Sequence, residues 1–91
     1  ITNADIELLS EKIGNKWKAV GKSIGVDVGT LENIQVEHAG NQRHMTRAMF
    51  QKWIGKYGHR ATINYVIGAL KSDKIRLYSV AAYLRPDSPE S

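Results

Sequence analysis

Apolar side chains return every three to four positions through nearly the whole 91-residue chain, and a glycine or proline interrupts each run. This pattern constrains the fold more than any other feature. A 3.6-residue period places such side chains along one side of a helix, whereas the two-residue alternation of a half-buried strand is scarce here. Ile6, Leu9 and Ile13 form the first stripe and Trp17, Val20 and Ile24 the second. Val28, Leu31 and Ile34 form the third. A longer fourth segment, from about 42 to 57, carries Met45, Met49 and Trp53 beside Phe50, Ile54 and Tyr57. Ile63, Val66, Ile67 and Leu70 give the fifth, and Leu77, Val80, Ala81 and Leu84 the sixth. Each helix has only one apolar side to bury, so the six must fold onto a shared core.

Punctuation sets the boundaries. Thr2 and Asp5 stand three apart before the first stripe, as in a capping box. Gly14 can close the first helix in a left-handed turn, and Gly25 and Gly58 end the second and fourth. Asn15, Asp27 and Thr62 are expected N-caps, because a short polar side chain there accepts from a free helix N–H. Gly29 disfavours helix by about 1 kcal/mol relative to alanine, so the third segment is expected to be short or irregular. Gly40 and Asn41 break the chain before the fourth segment, and Pro86 forbids extension of the sixth. Residues 1–85 are expected to form one domain. The remainder, 86–91, reads Pro-Asp-Ser-Pro-Glu-Ser, has nothing to bury and is expected to be a disordered tail.

A chain of this length supplies one modest core. It contains no cysteine, so disulfides, thiolate catalysis and cysteine zinc sites are excluded, and a reducing compartment is permitted. No run of about 18 apolar residues is present, so no membrane span is expected. The first residues carry Asp5, Glu7 and Glu11 rather than a basic head and apolar run, unlike a signal peptide. The first residue is Ile1 rather than Met, as in a piece of a longer or processed protein.

Catalytic signatures are absent. His38, His44 and His59 make no HxxxH or HExxH spacing, and they read as surface groups. The glycines are scattered at helix ends rather than gathered in a phosphate loop, and no serine sits in a nucleophile elbow. Neither an enzyme, a small-molecule substrate, a metal nor a cofactor is expected. Trp17 and Trp53 each lie on an apolar stripe, and both are expected in the core rather than at an exposed anchor site.

The charges carry more information. The net charge is +4. Lys12, Lys16, Lys18 and Lys22 cluster at and along the second segment, and Arg43, Arg47, Lys52 and Lys56 along the fourth. Asp27, Glu32 and Glu37 make the third acidic. Most single charges on an amphipathic helix serve only to solvate its outer face. Same-sign clusters on separate helices, however, give one domain faces of both signs, and two such domains attract through unlike faces.

Several stretches then match a known family. Trp17-Lys18-Ala19-Val20-Gly21-Lys22-Ser23-Ile24-Gly25 resembles the second helix of death domains, with its Trp-basic-x-Leu-Ala-x-x-Leu-Gly pattern. Val28 to Ile34 is similar to the short third helix, Met49-Phe50-Gln51-Lys52-Trp53 to the Leu-x-x-Trp of the fourth, and Gly58-His59-Arg60-Ala61-Thr62 to the Gly-x-x-Ala-Thr that opens the fifth, which Ala69-Leu70 closes. Leu84 stands where the sixth helix ends in leucine. The resemblance runs from Leu9 to Leu84. Val20 and Gly21 depart from the usual Leu and Ala, and Gly29 sits inside the third helix. The Arg-x-Asp-Leu signature of death-effector domains is missing, and the tryptophan pair with Ala61-Thr62 favours a death domain over a caspase-recruitment domain.

The resemblance implies an all-α, six-helix antiparallel bundle of Greek-key topology. It further implies a cytoplasmic module that binds other death domains, homotypically or heterotypically, and builds signalling assemblies in apoptosis or innate immunity without contacting membrane. It assigns partner binding to three unlike-to-unlike contacts. Mapped onto this chain, the first includes Lys18, Lys22, Arg43 and Arg47. The second includes Lys52, Lys56, His59, Arg60 and Asp73. The third includes Lys16, Asp27, Glu32 and Gly40. The rival reading is a basic helical nucleic-acid-binding domain, resting on a pI near 9.5 and the basic second and fourth helices. The acidic segments between them and the match of the apolar positions count against it.

Overall fold

The computed structural model describes residues 2–84, and the expected tail at 86–91 lies outside them. Six α-helices follow one another: α1 (Asn3–Lys12), α2 (Trp17–Ile24), α3 (Val28–Glu37), α4 (Gln42–Tyr57), α5 (Ile63–Leu70) and α6 (Tyr78–Tyr83). Short 3-10 turns at Gly14–Lys16 and Gly58–Arg60 precede α2 and α5. Among the described residues there is no strand.

The helix ends follow local chemistry. Thr2 and Asp5 close the expected capping box, each side chain accepting from the other residue's backbone N–H. The Asn41 side chain accepts from the His44 N–H and the Thr62 hydroxyl from the Tyr65 N–H, starting α4 and α5. At the end of α2, Gly25 adopts φ +102°, which a Cβ would disfavour. The Val26 N–H then reaches back to the Gly21 carbonyl at 2.8 Å, and this closure drives the Val26 side chain into the core.

Four local expectations need correction. Asp27 precedes α3 in extended backbone, but its side chain makes no capping hydrogen bond. Asn15 does not cap α2; it lies inside the 3-10 turn, and Lys16 precedes the helix with no side-chain cap. The third helix is regular and ten residues long. Gly29 occupies its first turn, where N–H groups lack helical partners in any case, so little propensity is lost. Val28, assigned to the apolar stripe, is 49 % exposed; Val26, Leu31 and Ile34 are buried instead.

Packing is dominated by α4, which meets α1, α2 and α3, while α2 also packs on α5 and α5 on α6. These non-sequential pairings distinguish a Greek-key bundle from an up-and-down one. Two ion pairs fix the direction of α1 against α4, since Glu11 meets Arg43 and Glu7 meets Arg47. One index rises as the other falls, so the helices are antiparallel. Trp53, Phe50 and Met49 from α4, Val20 and Ile24 from α2, Leu9, Leu31, Ile34, Val66 and Leu70 form the buried centre, and Trp17 is buried with them. Gly21 permits the closest approach: a Cβ there would lie 2.7 Å from Leu31 Cδ2 and 3.3 Å from Met49 Cγ.

Candidate interaction surfaces

The basic residues near α2 divide by their contacts. The Lys16 ammonium donates to the Ile75 carbonyl at 2.8 Å, tying the turn before α2 to the loop between α5 and α6. Lys18 donates to the Gln35 side chain on α3. Lys22 is exposed and lines a cleft of about 580 Å³ with Ser23, Ser72, Asp73, Lys74 and Ile75. Lys22 and Asp73, which the family resemblance places on different contacts, thus share one cleft.

On α4 the cations separate by position. Near its start, Arg43 pairs with Glu11 at 3.3 Å and Arg47 with Glu7. The Arg47 Nε is buried and has no hydrogen-bond partner among the described residues. Exposed pairs of this kind contribute up to about 1 kcal/mol each, so they orient α1 more than they stabilise it. The spacing held a signal for them: Glu7 and Glu11 are four apart, as are Arg43 and Arg47, which gives matched rungs on two antiparallel helices.

Near the end of α4, Lys52 and Lys56 remain exposed. With Val26, Asp27, Thr30, Trp53 and Tyr57 they line a cleft of about 380 Å³ between α4 and the start of α3. A second cleft of about 210 Å³, lined by Ile24, Gly25, Trp53, Tyr57, Arg60 and Tyr65, adjoins it. Trp53 and Tyr57 belong to both. The Tyr57 hydroxyl donates to the Gly25 carbonyl at 3.2 Å, and a Cβ on Gly25 would lie 2.9 Å from that hydroxyl oxygen. His59 and Arg60 are exposed in the following 3-10 turn.

The acidic side lies on α3. Asp27, Glu32 and Glu37 are exposed. The Thr30 side chain beside Asp27 holds its carboxyl below the ordinary value, with the Lys56 charge a smaller cause in the same direction. Asp27 and Lys56 therefore meet at one cleft, although the resemblance assigns them to separate contacts. Gly40 is exposed in the turn before α4. The sequence places Tyr57 on an apolar stripe of α4, but Tyr65 lies off the stripe of α5 and nothing there marks its aromatic surface. Its ring centroid stands 6.2 Å from that of Trp53.

Among the described residues no group of three or more His, Cys, Asp or Glu side chains could hold a metal ion. Nor is any of their helices long and apolar enough to cross a membrane. His38 and His44 approach edge-to-face, with centroids 6.0 Å apart, between the end of α3 and the start of α4.

Comparison with known proteins agrees with this architecture. A family model described as "Death domain" matches residues 3–82. The chain is similar to the FAS-associated death domain protein of Bos taurus, with 20 % identity over 74 residues, covering 81 % of this chain and 35 % of that protein. It therefore spans about a third of the length of this curated relative. With the match extending over all six helices, the chain belongs to the death domain family, whose members are protein–protein interaction modules.

Proposed function

We propose that this domain recruits other death domains into a signalling assembly of apoptosis or innate immunity, in the cytoplasm and without catalysis. The observation that carries the reading is the exposure of opposite charges on neighbouring elements of one bundle. Lys52, Lys56, His59 and Arg60 crowd the end of α4, while Asp27, Glu32 and Glu37 line the outside of α3. A second domain of the same kind can set its acidic side against that basic side, and the contact can repeat because the two surfaces are different. Unlike charges also speed encounter and fix register, which suits a module that must select its own kind.

The contacts of the remaining cations bear on the nucleic-acid alternative. Arg43 and Arg47 pair with Glu11 and Glu7, and Lys16 and Lys18 are held in hydrogen bonds to the domain itself. Phosphate binding would have to displace them. Among the described residues, the exposed charged side chains with no internal contact include Lys22, Lys52, Arg60, Lys71, Lys74, Glu32 and Glu37, with His59 and Asp73, whereas Lys56 lies over the Tyr57 ring and beside Asp27.

Sedimentation velocity of the 91-residue chain, alone and with a panel of isolated death domains, tests the reading. The panel includes the death domain of the bovine FAS-associated protein. Saturable complex formation with itself or with a panel member is expected, together with negligible affinity for random duplex DNA. Absence of any complex, or DNA binding that falls steeply with salt, would overturn it.

A further inference from the structure

The two clefts on either side of Tyr57 carry an inference beyond assembly with folded domains. Their shared wall is aromatic, built from Trp53 and Tyr57, and Val26 lines the larger cleft and Ile24 the smaller. Their rim is cationic, with Lys52 and Lys56 on one side of Tyr57 and Arg60 on the other. Asp27 is the one carboxylate that lines either cleft. The larger cleft, at about 380 Å³, falls within the roughly 300–1,000 Å³ typical of sites that enclose a small ligand or an anchoring side chain. Tyr57, between the clefts, packs against the core and donates from its hydroxyl to the Gly25 carbonyl at an exposed position. Tyr65 extends the aromatic surface and is itself 55 % exposed.

We propose that this double cleft binds a linear acidic peptide segment that inserts an apolar or aromatic anchor beside Tyr57. Charge complementarity selects this occupant: three cations flank an apolar floor, so carboxylates on both sides of one buried side chain would meet all three. Asp27 repels any anion, so the segment's carboxylates would lie toward Lys52 and Arg60 and a backbone N–H would face Asp27, a donor that a phosphodiester backbone lacks. A folded death domain, the partner argued above, would meet the outer charges but present no extended segment to fill the cleft.

The probe is a fluorescein-labelled octapeptide, Glu-Glu-Asp-Leu-Phe-Asp-Glu-Glu, titrated with the 91-residue chain and read by fluorescence anisotropy. Controls replace Leu-Phe with Ser-Ser, or replace the peptide with a single-stranded DNA octamer. Saturable binding is expected for the first probe, weakened at least about fivefold for the serine peptide and about tenfold by the double substitution K52E/K56E. The same loss is not expected for K71E, an exposed loop position that lines neither cleft. Amide shifts in a 15N spectrum of the unsubstituted chain should centre on Gly25, Val26, Tyr57 and Tyr65, which keeps the test independent of any variant's folding. Equal binding of the serine peptide, tighter binding of the DNA, insensitivity to K52E/K56E, or shifts centred elsewhere would each overturn the proposal. Such a result leaves assembly with death domains standing, since that is measured with folded partners.

Discussion

The Lys16 ammonium donates a hydrogen bond to the backbone carbonyl of Ile75 across 59 positions of chain. The side chain of Ile75 is almost wholly buried, so the lysine anchors from outside a loop that the core holds from inside. The same loop places Arg76 at φ +55°, a left-handed conformation rare for a residue with a Cβ.

Lys16→Met should therefore lower stability although it removes no core side chain. A hydrogen bond to a charged group contributes about 1.5–3 kcal/mol when sheltered, and less here because Lys16 is exposed, so a loss of about 1 kcal/mol is expected. Thermal unfolding followed by circular dichroism should show a decrease of about 4–8 °C.

Glycines should respond with opposite signs. Gly21→Ala brings a methyl group against Leu31 and Met49, and overpacking of this kind costs about 1–3 kcal/mol. Gly55 and Gly68 lie within α4 and α5, and the space that a Cβ would enter at each is open. Alanine at either should stabilise by about 0.5–1 kcal/mol through helix propensity. Urea midpoints of the three variants measured side by side check the signs.

Trp53 is 2 % exposed at the centre of the bundle. Trp53→Ala should cost about 3–5 kcal/mol, a large share of the stability available to a domain of this size. A melting temperature equal to that of the parent would contradict its place in the core.

Asp27 supplies a pH dependence of known sign. Its folded-state carboxyl titrates below the ordinary 3.8, so the unfolded chain binds the proton more readily. The resulting stabilisation is present above pH 3.8 and is lost as the pH falls through the lower, folded value. Asp27→Asn should flatten this part of the stability profile, measured by urea unfolding between pH 5 and pH 2.5.

Much of the bundle was legible in the sequence because periodicity and capping act locally. Thr2, Gly25, Asn41, Gly58 and Thr62 punctuate the helices as their side chains or freedom of φ require. What escaped was determined by tertiary placement. Ile75 stands alone between Lys74 and Arg76, so no stripe marks it as core, yet the fold buries it. Val26 enters the core through the closing turn of α2, while Val28, two positions on, faces out. The same limit applies to the surfaces. Lys16 looks like a free cation in a one-dimensional charge pattern, but its acceptor Ile75 lies 59 positions away, while the partners of Arg43 and Arg47, 32 and 40 positions away, are marked only by a matched spacing of four. Lys52 and Lys56 were recognisable as basic, but not as the rim of an aromatic cleft.

A charge-swap experiment tests most directly the claim that unlike charged surfaces join this domain to its own kind. Lys52→Glu and Glu32→Lys change exposed residues on α4 and α3 whose side chains make no hydrogen bond or ion pair among the described residues. Each should leave the far-ultraviolet circular dichroism unchanged and weaken self-association, or association with the death domain identified by sedimentation, by about tenfold. Where a reversal has weakened binding, the opposite reversal on the facing surface of the partner should restore most of the affinity. Association that survives both reversals undiminished, with the fold intact, would contradict the account.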